Sequence, residues 1–101
     1  MSELPVSLSD IENWIREYQE SREKNQELVD FYWQRFENAS LAYDECDQYV
    51  ADVEYTRKKL NDEMNIYKRE AEKSQRRLDN DIELLKILYD SRKKFSNGRR
   101  R

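Results

Sequence analysis

The chain has one Gly, one Pro, one Cys and no His among its 101 residues. Each shortage removes a class of protein. Sandwiches and doubly wound sheets reverse direction many times, and reversals draw on Gly, Pro, Asn and Asp. A phosphate-cradling loop needs several glycines. Without His, most acid–base catalysis and the Glu-x-x-His motif of helical di-metal sites are out of reach. A lone Cys supports neither a disulfide framework nor a cysteine zinc site within one chain. Leu, Ile, Val and Phe together number 21, close to the level at which chains stop folding alone. No apolar run nears the roughly 18 residues of a membrane span, and residues 1–10 lack a basic start followed by an apolar run. The expectation is one non-enzymatic, soluble, intracellular unit, cytoplasmic or nuclear, with no cofactor or metal.

Charge is abundant: 41% of residues are Asp, Glu, Lys or Arg. It is unevenly placed. Residues 1–50 hold 12 acids and 4 bases, a net of −8, and residues 51–101 hold 10 acids and 15 bases, a net of +5. Such asymmetry favours an acidic half lying beside a basic half.

The apolar residues follow one period. From Ile11, steps of 4, 3, 4, 3 reach Phe95 through 25 positions, of which 19 are apolar or aromatic. This is the heptad pattern of a left-handed coiled coil. Ile15, Val29, Phe36, Tyr43, Val50, Met64, Leu78 and Leu85 fall at a. Ile11, Tyr18, Tyr32, Val53, Leu60, Tyr67 and Leu88 fall at d. These fifteen are the predicted oligomer seam. Ser9 and Glu12 read as a capping box that starts the helix, and Asn97-Gly98 after Arg92-Lys93-Lys94 reads as its stop. Between them lies no Pro or Gly. The expected organisation is an irregular arm over 1–8, a coiled-coil helix over 9–96 and a basic tail over 97–101.

The fold class expected is therefore all-α: one long continuous helix in a coiled coil, roughly 130 Å long at 1.5 Å per residue. An antiparallel helical hairpin and a three-helix bundle are the alternatives, because residues 19–27 and 68–77 are nearly all polar. Glu12–Arg16, Glu20–Lys24, Glu54–Lys58, Glu72–Arg76 and Asp90–Lys94 are acid-then-base pairs four apart, each worth about 0.2–0.5 kcal/mol to a helix. A hairpin would turn near 45–55, where only Asp47 and Asp52 suggest a reversal.

Six stripe positions are polar: Arg22, Asn25, Arg57, Ser74, Asp81 and Arg92. Against its own copy in a parallel pair, an arginine meets like charge. Antiparallel, or with another chain, each could find an acid. A homodimer, antiparallel slightly favoured, is the expected assembly, with or without a heterologous protein.

Off the stripe, Phe31 at c, Trp33 at e, Leu41 and Tyr55 at f and Tyr49 at g cluster on more than one face, and a two-stranded coil leaves c and f in water. They are the predicted docking residues, since aromatics dominate interface hot spots. Ile82, Leu84, Ile87 and Tyr89 form a second, weaker set. Arg92, Lys93, Lys94, Arg99, Arg100 and Arg101 make a basic end that could serve nucleic-acid contact or localisation. The function expected is a scaffold or assembly segment that self-associates and docks a partner protein. The rivals are a nucleic-acid-binding helical protein and a small helical inhibitor or adaptor.

Overall fold

A computed structural model gives the fold; it describes residues 6–48 and 50–99, the side chains of 97–99 excepted. Two helices account for nearly all of it: α1, Leu8–Glu45, and α2, Val53–Arg99, with a short 3-10 turn at Cys46–Gln48. They pack against each other as an antiparallel hairpin measuring 76 × 27 × 14 Å. The all-α class stands, in the form of the antiparallel hairpin expected as the alternative to one continuous helix: the chain reverses between Glu45 and Val53. The stripe expected to join two chains joins the two halves of one.

The stripe itself is where the heptads put it. Every buried residue among those described lies on it: Ile11, Ile15, Asn25, Val29, Ala39, Cys46, Ala71, Ser74, Leu78, Asp81 and Leu85. The remaining seam residues, Tyr18, Tyr32, Phe36, Tyr43, Val50, Val53, Leu60, Met64, Tyr67 and Leu88, are half-buried. At the open end, Ile11, Ile15 and Leu85 form a buried cluster walled by Tyr18, Leu88, Tyr89 and Phe95.

The helix starts earlier than the sequence reading placed it. Ser7, not Ser9, is the N-cap. Its hydroxyl accepts from the amide of Asp10 at 3.1 Å, and the Asp10 carboxylate accepts from the amide of Ser7 at 3.2 Å. The reason is visible in the period. Starting at Leu8 places that residue one heptad before Ile15, and it is half-buried. At the far end, α2 runs through Gly98 to Arg99, and no described Gly adopts positive φ. Arg92, Lys93 and Lys94 are bases in the closing turns and suit the negative end of the helix dipole. A single Gly near the end costs only about 1 kcal/mol relative to Ala.

The reversal uses no Gly or Pro. None is required, since no described residue has positive φ. The amide of Val50 donates to the Cys46 carbonyl at 3.1 Å, and the Cys46 thiol donates to the Tyr43 carbonyl at 3.4 Å. Asp52 then starts α2. Its carboxylate accepts from the Tyr55 amide at 3.1 Å and its carbonyl accepts from the Thr56 amide at 3.2 Å. Arg57 closes the loop from above, its guanidinium 5.6 Å from the Tyr43 ring centre and 3.9 Å from the Asp47 carboxylate.

Three of the six polar stripe members, Asn25, Asp81 and Arg57, have partners across the hairpin or at its turn. Asp81, 5% exposed, accepts from the Asn25 amide at 2.8 Å and from the Ser21 hydroxyl at 2.7 Å, on the same oxygen. Arg57 meets Asp47. Arg22 and Arg92, however, are exposed rather than in the seam. On the surface, Asp90–Lys94 forms at 3.1 Å. Among the described residues the other four expected pairs are not in contact, and Glu70–Lys73 and Glu83–Lys86 form instead. Exposed pairs of this kind contribute little.

Two outcomes follow from these contacts. Asp52→Ala removes the cap of α2, costs about 1 kcal/mol and lowers the midpoint of thermal unfolding, followed by circular dichroism, by about 4–8 °C. An unchanged midpoint would mean that Asp52 does not start the helix. Asp81→Leu alone leaves the Asn25 amide only a long 3.4 Å bond to the Ser21 hydroxyl and costs about 1–3 kcal/mol, whereas Asn25→Leu with Asp81→Leu recovers most of that loss. Additive costs in a double-mutant cycle would mean that the two side chains do not interact.

Candidate docking surface

Two helices can cover only one side of each other. Among the described residues, eight large apolar ones are 36% exposed or more: Val6, Trp14, Phe31, Trp33, Leu41, Tyr55, Ile66 and Ile87. The heptad letters sort them into faces. Trp14 falls at g; Phe31, Ile66 and Ile87 fall at c; Trp33 falls at e; Leu41 and Tyr55 fall at f. At about 100° per residue, c and g share one side of a helix and e lies on the other.

The antiparallel packing aligns these sides between the helices. A hydrogen bond of 2.7 Å from the Gln19 amide to the Tyr89 hydroxyl joins two e positions. Two open troughs mark the opposite flank. One, of ≈ 590 Å³, lies at the open end and is lined by Val6, Ile11, Trp14, Leu88, Ser91, Lys94 and Phe95, with Trp14 and Ser91 both at g. The other, of ≈ 850 Å³, lies toward the turn and includes Phe31, Arg35, Ala42, Leu60, Glu63 and Tyr67, with Arg35, Ala42 and Glu63 at g. Arg35 bridges this trough, its guanidinium 4.7 Å from the Phe31 ring centre on α1 and 5.9 Å from that of Tyr67 on α2. Leu28 and Leu84, also at g, are half-buried between the two. The g flank is therefore a mixed side with contributions from both helices, its apolar residues separated by Ser21, Arg35, Thr56, Glu63, Glu70 and Arg77 and its larger trough lined also by Glu27, Asp30, Gln34 and Asn38.

The predicted docking residues divide across this geometry. Phe31 is on the g flank, 47% exposed. Trp33 is on the opposite flank, edge-on to Phe36 with ring centres 5.4 Å apart. Leu41 and Tyr55 are the most exposed, at 60% and 66%, and stand near the turn. Tyr49 lies outside the described residues. They do not form one patch. Reading the aromatics as a sequence cluster missed Val6, Trp14 and Ile66; the heptad letter of each was the signal that would have grouped Trp14 and Ile66 with Phe31. In the second predicted set, Ile87 is 59% exposed, while Ile82, Leu84 and Tyr89 are half-buried.

The basic end is only partly described. Arg92 lies over the Tyr89 ring at 5.4 Å, Lys94 pairs with Asp90, and Lys93 is exposed. The Arg99 side chain, Arg100 and Arg101 lie outside the described residues. Among the described residues, no group of acids and Cys46 could hold a metal ion, and no helix is long and apolar enough to cross a membrane. Comparison with protein-family models, curated proteins and solved structures finds no match.

Proposed function

We propose that this chain is a non-enzymatic helical-hairpin module that docks a partner protein, a scaffold or assembly segment. The observation that carries the reading is the set of large apolar side chains left exposed among the described residues, none of which the internal core uses. Val6 and Trp14 line one trough and Phe31 the other, and apolar residues set in a groove mark interaction surfaces where singly scattered ones do not. Tryptophan and tyrosine, both present here, are the residue types on which interface energy concentrates. The troughs are open along their length, a shape suited to side chains of another helix rather than an enclosed small ligand. The module works inside the cell, in the cytoplasm or nucleus, where the single buried thiol of Cys46 stays reduced. Nucleic-acid binding has less support, because the bases of α2 alternate with Asp62, Glu63, Glu70, Glu72 and Asp79.

The test is capture by the tagged chain in the cells that make it, with the retained proteins measured against those of a Phe31→Ser/Trp33→Ser variant. Loss of two hot-spot aromatics lowers the yield of true partners, further copies of the chain included, about tenfold or more while helicity is unchanged. Retention of the same proteins at the same yield would overturn the docking assignment.

A further inference from the structure

We infer that the turn is a hinge, and that two copies of the chain exchange α1 along their seams to give a straightened, antiparallel rod. This concerns the seam and not the outer flanks, so it stands apart from the docking reading.

The residues of the turn carry the pattern of a seam rather than of a reversal. Cys46, Val50 and Val53 continue the d, a, d order from α1 into α2 without a change of phase. A loop that only reversed the chain has no need to keep that phase, because each helix needs only its own stripe. No Gly or Pro stands between Pro5 and Gly98. The backbone is already part-helical there. The amides of Val50 and Thr56 donate to the carbonyls of Cys46 and Asp52, four residues back in each case, which is the α-helical pattern. Cys46, where α1 ends, has φ −62° and ψ −27°, both helical values. Straightening the chain changes the backbone around Ala51 and Asp52 and gives up the bond from the Tyr55 amide to the Asp52 carboxylate.

The register of the hairpin suits the exchange. Gln19 meets Tyr89, Ser21 and Asn25 meet Asp81, Arg35 lies over Tyr67 and Arg57 over Tyr43. The midpoint of each pair falls between residues 50 and 54, inside or beside the turn. An exchanged dimer keeps all these contacts, the second chain supplying one member of each, with its two-fold axis at that midpoint. The acidic half still lies beside the basic half. The a and d pairing then sets Val50 of each chain opposite Val53 of the other. Those two layers close the seam across its centre, where the hairpin leaves both valines half-buried. A parallel rod would instead lose the donors of the buried Asp81 carboxylate and bring it near its own copy.

Concentration selects between the two forms. The hairpin makes its seam within one chain, and a short link gives the second arm an effective concentration on the order of millimolar. Dilute chains therefore stay as hairpins. The exchanged form competes as the chain concentration nears that value, and the added valine layers favour it.

The test refolds the full chain from denaturant at concentrations from micromolar to millimolar and separates the products by size. Light scattering gives the mass of each and small-angle X-ray scattering its maximum dimension. Dilute refolding should give a single species of 12.5 kDa with a length near the 76 Å of the hairpin. Concentrated refolding should add a species of twice that mass, about 140 Å long at 1.5 Å per residue. Val53→Pro separates the two forms, because Pro suits the first position of a helix and breaks one that runs through it. It should leave the helicity of the dilute chain unchanged and lower the yield of the double-mass species about tenfold or more. Should that variant unfold, Ala51→Gly serves in its place, since Gly weakens a helix interior and is tolerated in a turn. A single chain mass at every concentration overturns the exchange. So does a double-mass species no longer than the hairpin, or one whose yield these variants leave unchanged.

Discussion

The a and d side chains of α1 and α2 meet along one stripe, and each other feature of the molecule is placed by that contact. It sets the antiparallel order of the helices, brings the acidic half beside the basic half and decides which side chains are left outside. Its apolar strength is concentrated toward the open end, where Ile11, Ile15 and Leu85 are buried together. The middle is weaker, with Ala71, Ser74, Asn25 and Asp81 in place of large aliphatic groups. A hairpin held this way is elongated and covered on one side only.

The polar members of the stripe limit how the helices can slide. Asp81 is buried with two donors on one oxygen, Asn25 and Ser21. Moving α2 by one turn would leave that carboxylate without either, at a desolvation cost larger than the hydrogen bonds contribute. Buried polar groups in coiled coils commonly fix register at some expense of stability. Arg57 lies at the turn, its guanidinium 3.9 Å from the exposed Asp47 carboxylate in the 3-10 segment and over the Tyr43 ring of α1. The same arginine in a parallel pair of continuous helices would face its own copy.

Much of this was legible in the sequence. The heptads name every buried residue among those described, because burial at 3.5-residue spacing leaves a direct trace in the order of residues. The topology was not legible from period alone, since one unbroken stripe can pair with another chain or fold onto itself. The reversal left a faint trace for a physical reason. A turn built from a 3-10 segment and an Asp cap keeps every described residue at negative φ, so it selects neither Gly nor Pro. Asp52 was the signal, read as a weak turn residue when its stronger role is helix N-cap. The start of α1 was misplaced by two residues because Ser7-x-x-Asp10 and Ser9-x-x-Glu12 both suit a capping box, and Leu8 decides between them. The exposed apolar residues were legible as types but not as faces, because a face exists only once the partner helix is assigned.

The account depends most on the hairpin being formed within one chain. Its most direct test is a spin-label distance between residues 19 and 89, with Cys46→Ser, Gln19→Cys and Tyr89→Cys on labelled chains diluted in unlabelled protein. The hairpin places these positions in hydrogen-bonding contact, so a short intramolecular distance of about 10–20 Å, set by helices packed about 8–10 Å apart, is predicted. In a continuous helix the same positions, 70 residues apart, would be separated by about 105 Å. Loss of the short distance on dilution with unlabelled chains would show that the stripe joins different molecules and would contradict the hairpin.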